Sequence, residues 1–130
     1  MLANELTNRI RALNVVPSGF VLRTGRVEAS VPKAVMVMLP LTGYEDGTDQ
    51  SGGFYRGGQQ IVVRSPDPEE AYAVSEALQE ALKVSGGEVT LEKWVLRLFR
   101  PLGLPLLFPI NDADLYETSL RFDVAAYSKP

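Results

Sequence analysis

Six carboxylates offer this chain its best prospect of chemistry: Glu45, Asp46 and Asp49 in one cluster, Asp112 and Asp114 in another before the last strand, and Glu117 within that strand. Two or three of them converging on one point could hold a divalent cation and activate a water for hydrolysis. Oxygen ligands at alternate positions suit calcium, but neither set completes an EF-hand spacing. Aspartate is also favoured in turns, and solvated turn residues are the simpler reading of both clusters. No catalytic residue, metal site or cofactor is expected from them.

The turn "SPDPEE" (Ser65 to Glu70) is a second candidate, because an apolar run there feeds directly into a helical pattern. Phosphate sites at such turns need glycines that let backbone amides approach the anion, and a free positive helix end. Here two prolines remove two amide donors, and Asp67, Glu69 and Glu70 put negative charge where the anion would sit. The requirements are contradicted. "GGFYRGG" (Gly52 to Gly58) lacks the GxGxxG spacing and precedes a strand, so it reads as part of a flexible loop with an aromatic and basic tip, Phe54, Tyr55 and Arg56. Such residues are enriched as anchors of protein interfaces.

Composition narrows the classes further. The 130 residues suffice for one domain, 1–130, and include neither cysteine nor histidine. That removes disulfides, thiol nucleophiles, thiolate or imidazole zinc sites and the commonest general base near neutral pH. A formal charge of -3, from 13 basic and 16 acidic residues, argues against stable binding of nucleic acid, which wants a basic stripe. The N-terminus lacks a signal-peptide profile, and the apolar stretch Leu102 to Ile110 is shorter than the ~18 residues of a membrane span and is broken by Pro105 and Pro109.

These residues must be positioned by elements that the patterning suggests. Leu2, Leu6, Ile10 and Leu13 recur at helical spacing, ended near Asn14 and Pro17. Phe20 to Arg23 fits a short strand, and "KAVMVML" after Pro32 a buried one. Residues 43–58 are polar and rich in glycine, and a loop that long is usually functional or disordered. Gln59 to Ser65 reads as a strand, with Ile61 and Val63 on one face and Val62 on the other.

Asp67 as N-cap, Pro68 in the first turn and Glu70 in a capping box start a helix. Its stripe is Ala71, Val74, Leu78, Ala81 and Leu82, and Gly86-Gly87 is its stop. Trp94 to Arg100 is most easily a strand, although Thr90 to Lys93 leaves a helical start open. After a proline-containing link and a turn at "NDAD" (Asn111 to Asp114), Tyr116 to Tyr127 alternates. Tyr116, Thr118, Leu120, Phe122, Val124 and Ala126 form a mostly apolar face, and Glu117, Ser119, Arg121, Asp123, Ala125 and Tyr127 a mostly polar one. The expected class is α+β, a mostly antiparallel or mixed sheet with two helices packed on it.

In this order, "QQIVVRSPDPEEAYAVSEALQEAL" and "LPLLFPINDADLYETSLRFDVAAY" resemble the tail terminator (tail completion) proteins of long-tailed bacteriophages and related minor capsid families. The resemblance implies a structural subunit with no catalytic residues. It would assemble as a homo-hexameric ring at the head-proximal end of the tail tube, end tube growth and present a surface to the head completion or connector protein. It also implies a virion location, assembly in the host cytoplasm, no membrane, and DNA that passes through without being specifically bound. An acidic balance suits such a passage, because fixed cations would hold phosphates. A ring needs two different patches that meet. The candidates are Phe54, Tyr55 and Arg56, and the face or edge of the last strand around Arg121, Asp123 and Tyr127. The alternatives are another head-tail joining or minor capsid protein, a small carboxylate-based hydrolase, and a monomeric protein-binding module that presents the loop tip.

Overall fold

A computed structural model of the chain describes residues 2–39, 54–110 and 114–129. Two helices and seven strands follow in the order α1 (Leu2–Leu13), β1 (Val21–Thr24), β2 (Ala34–Val37), β3 (Phe54–Ser65), α2 (Pro68–Leu82), β4 (Val89–Thr90), β5 (Trp94–Pro101), β6 (Leu106–Ile110) and β7 (Leu115–Ser128). The class is the expected one, α+β with a mixed and mostly antiparallel sheet.

The long final strand is the spine of that sheet. β3 pairs with one edge of β7 over its length, from Phe54 opposite Tyr127 to Ser65 opposite Tyr116. The other edge is shared: β6 takes residues 115–119, and β5 takes 122–128 with a register shift between Leu96 and Leu98. β2 lies antiparallel on β3, β1 parallel on β2, and β4 antiparallel on β5. One level of the sheet therefore runs β1-β2-β3-β7-β6 and the other β3-β7-β5-β4. Both edges of β7 are occupied, so the expected free edge of the last strand does not exist.

Alternation along the strands sends Val35, Val37, Ile61, Val63, Leu120, Phe122 and Val124 to one face, where both helices cover them. From α1 come Leu2, Leu6 and Ile10, and from α2 Ala71, Val74, Leu78 and Leu82. Phe99 and Phe122 meet within this layer with ring centroids 4.5 Å apart, in a tilted arrangement that aromatic quadrupoles favour. α1 stops at Asn14, whose φ of 55° is tolerated because its short polar side chain can bond locally.

Three local expectations are corrected. β3 begins at Phe54, so Phe54 to Gly58 is strand and not the end of a loop; residues 43–53 lie outside the described residues. The glycines there have a packing reason. A Cβ on Gly57 would sit 2.5 Å from the Tyr55 hydroxyl, because the Tyr55 ring folds along its own strand to donate to the Gly58 carbonyl.

At the start of α2, Asp67 accepts from the Glu69 amide, but Glu70 does not reach back to the Asp67 amide. The Ser65 hydroxyl stands between them, accepting from the Asp67 amide and donating to Glu70 at 2.8 Å. Ser65 and Lys33 together hold the Glu70 carboxyl below its usual range. α2 ends at Leu82, before Gly86-Gly87, as the chain turns into the bridge between Val84 and Phe99. The link before β7 also contains a strand, β6, despite Pro105 and Pro109.

Candidate assembly surface

The second face of the sheet divides in two. Over the β2 side, Val27 and Val31 of the β1–β2 connection pack on Ala34, Met36 and Val62. This segment has little apolar area, and it is held by an ion pair. Arg64 and Glu117 stand directly opposite each other on β3 and β7, with side chains 3% and 2% exposed. Arg64 Nε donates to Glu117 Oε2 at 3.0 Å, and its Nη1 and Nη2 donate to the carbonyls of Glu28, Val31 and Val27. Arg26, on the same connection, donates to Glu117 from outside at 3.2 Å. Arginine suits this place because its planar fork can satisfy a carboxylate and several carbonyls at once.

Toward the other end the face is open. Arg56 donates from Nη2 to Asp123 at 2.9 Å, and Arg100 reaches the same carboxylate at 3.1 Å. Hydrogen bonds from Arg56 first, then its charge and that of Arg100, hold the Asp123 carboxyl below the ordinary carboxylate range. Arg121 is exposed beside them, and Gln60 donates to Ser119 at 2.9 Å. Tyr127 donates to Glu88, and half-buried Phe54 lies opposite it on β3. A cleft of about 320 Å³ lined by Met38, Gln60, Leu102 and Arg121 opens at the junction of the two halves.

Five of the six residues singled out in the sequence thus fall on or near one surface: Phe54, Arg56, Arg121, Asp123 and Tyr127. Tyr55 does not, since it is buried in the helix-side core and cannot anchor a partner. Sequence patterning places Glu117 on the mostly polar face of its strand and gives no sign of a partner for it; only the β3–β7 register brings Arg64 and Glu117 together.

The carboxylates do not form a metal site among the described residues. Glu117 is committed to Arg64, Asp114 lies in a turn with φ 52°, and Glu45, Asp46, Asp49 and Asp112 lie outside the described residues. No helix among the described residues is long and apolar enough to cross a membrane. What this face offers is fixed charge, hydrogen-bonding groups and half-buried aromatics on a rigid sheet, the equipment of a protein contact.

No protein-family model matches the sequence, and no curated protein does. A solved structure does match. A chain described as "Virion of native gene transfer agent (GTA) particle" superposes with a TM-score of 0.70 over 97% of this chain and 94% of that one. The fold is shared with a chain of that virion. With 19% of residues identical, the likeness is one of architecture, from end to end, and not of particular side chains.

Proposed function

We propose that this chain is a structural protein of a phage-like virion, and within that class a tail terminator. It forms a ring, six-fold by the resemblance, on the head-proximal end of the tail tube, stops tube polymerisation and joins the tail to the head completion protein. The observation that supports this reading best is the end-to-end likeness of fold to a chain of a gene transfer agent virion. The chemistry of the described surface agrees, with polar contacts on a rigid sheet and no nucleophile paired with a base.

The open face carries three arginines, Arg56, Arg100 and Arg121, around one aspartate. A channel lined by them would hold DNA phosphates and slow passage. In this reading the face, with Phe54 and Tyr127, therefore turns toward the tube or connector protein and away from the lumen. An image of the assembled ring with these arginines lining the channel would overturn that assignment.

The deciding experiment is to add the purified protein to polymerising tail tubes and measure tube length and end structure by negative-stain microscopy. Shortened tubes capped by a ring support the terminator. Tubes unaffected at saturating protein, together with binding to a head connector, would instead favour another joining role. A hydrolase is tested separately, since millimolar calcium, magnesium or manganese should leave the melting temperature unchanged.

A further inference from the structure

One row of the sheet can be followed from edge to edge: Leu22 of β1 lies opposite Val35, then come Val63, Thr118 and finally Leu107 of β6. Each end of this row opens into a groove beside a helix. At the β1 edge Leu22 lines a groove with Val16 and Phe20, and its polar wall is made by Arg11 and Asn14 of the end of α1 and by Ser18. At the β6 edge Leu107 faces Tyr72 and Ala73 of α2, flanked by Glu69 and Glu76. The two grooves lie at the same level on opposite sides of the molecule, one with Arg11 on its wall and the other with Glu69 and Glu76.

These rim charges lack strong partners of their own. Arg11 bonds the neutral Asn8; Arg23, in the depression that adjoins the groove across Arg11 and Leu22, meets Glu28 only at 3.8 Å; and neither Glu69 nor Glu76 is in an ion pair among the described residues. β6 and the link before it leave Leu102, Leu104, Leu106, Leu107 and Phe108 exposed, Leu104 by 76% and Leu106 by 55%. Five large apolar side chains within seven residues are exposed, Leu107 on the helix-side face and Leu106 and Phe108 on the other, so the arm presents apolar surface on both sides of the sheet edge, as interaction sites do. Pro105 and Pro109 blunt hydrogen-bonded extension of the sheet, so side chains must carry the contact.

We propose that the β6 arm, Leu102 to Phe108, docks into the α1–β1 groove of a second copy of this chain. Glu69 and Glu76 of one copy then face Arg11 and Arg23 of the next. The occupant is a second copy because Glu69 and Glu76 at the β6 edge and Arg11 and Arg23 at the β1 edge sit at one level on opposite edges, each group beside accessible apolar side chains. A contact between two different patches is heterologous and can close into a ring. The proposal rests on the ring reading above and gives it its subunit interface.

The natural absence of cysteine makes the test clean. Leu106→Cys and Ser18→Cys are prepared separately, mixed and treated with a short bis-maleimide, with circular dichroism checking that each is folded. The expected result is a crosslink between the two variants and little within either alone. Glu76→Arg and Arg11→Glu should each weaken self-association, read by analytical ultracentrifugation, by about fivefold or less, and the double reversal should restore it. Leu106→Glu should weaken it by tenfold or more.

A dominant Leu106→Cys self-crosslink would overturn the proposal in favour of a two-fold contact. Oligomers that form without the mixed crosslink would place the interface elsewhere and leave the ring reading standing. A monomer throughout that still caps tubes would also overturn the contact as a self-sufficient one, whereas failure to cap tubes counts against the ring reading itself.

Discussion

The two faces of the β3–β7 pair are built from the same twenty-odd residues in alternation, yet they are held by different physics. On the helix side, non-directional burial of Leu120, Phe122 and Val124 against two helices supplies the stability, and almost any apolar side chain of similar volume serves. On the other side, a short segment with only Val27 and Val31 to bury is fixed by directional bonds from one arginine. The first face specifies that the chain folds. The second fixes one shape for the surface beside it, at the cost of desolvating a charge pair.

The comparison is broken most strongly by removing a keystone from each face. Phe122→Ala leaves a cavity against Phe99 and should lower stability by about 3–5 kcal/mol in chemical denaturation. Glu117→Ala should lower it by a similar amount, about 3–5 kcal/mol, because Arg64 is left charged and buried. An apolar pair, Arg64→Met with Glu117→Leu, separates the two mechanisms. If the ion pair mattered only to itself, the double variant would regain wild-type stability. We expect it to stay about 2 kcal/mol or more below, since the carbonyls of Val27, Glu28 and Val31 lose their donor.

A smaller effect comes from a polar flaw in the apolar face. Thr118 is fully buried, and its hydroxyl has no hydrogen-bond partner among the described residues. Thr118→Val keeps the shape and should raise the melting temperature, by about 1 kcal/mol of stability; a loss would reveal an unseen partner for the hydroxyl. The smallest effect concerns Asp123. Because its carboxyl is held below the ordinary range, its ion pairs contribute stability fully at pH values above its ordinary pKa of 3.8. That contribution is lost as the pH falls through the lowered folded-state value. Asp123→Asn should thus be less stable than wild type at pH 7, by about 1 kcal/mol or less, and the gap should close in acid. A gap independent of pH would mean that shape, and not charge, is what Asp123 provides.

The helix-side face was legible in the sequence, because period 3.6 in α1 and α2 and period 2 in β7 both report burial on one side. The other face was legible only as polar. Alternation cannot distinguish a carboxylate in water from one paired with arginine, so Glu117 reads only as one more residue of the polar face. Phe54 to Gly58 read as loop because glycines lower strand propensity, although here Gly57 makes room for the Tyr55 ring. β6 was hidden by Pro105 just before it and Pro109 within it, which an edge strand tolerates when the missing amide points outward. The candidate surface was therefore half visible: Arg56, Asp123 and Arg121 from residue type, but not the grooves at the two edges, which depend on which strands are neighbours.

β7 is the last strand of the sheet in chain order and the middle one in space. During synthesis β3 and β5 are made with no partner between them, and the two sides of the molecule join only once residues 115–128 have been added. Sequence-distant pairing of this kind slows folding, and the sheet cannot close before residues 115–128 have been made. For the assembly role proposed above, that order means that the contact surfaces come into existence only after β7 has been made. A chain stopped at Asp114 should accordingly be found unfolded or bound to chaperones, and a stable folded fragment of that length would show that the earlier strands close without their spine.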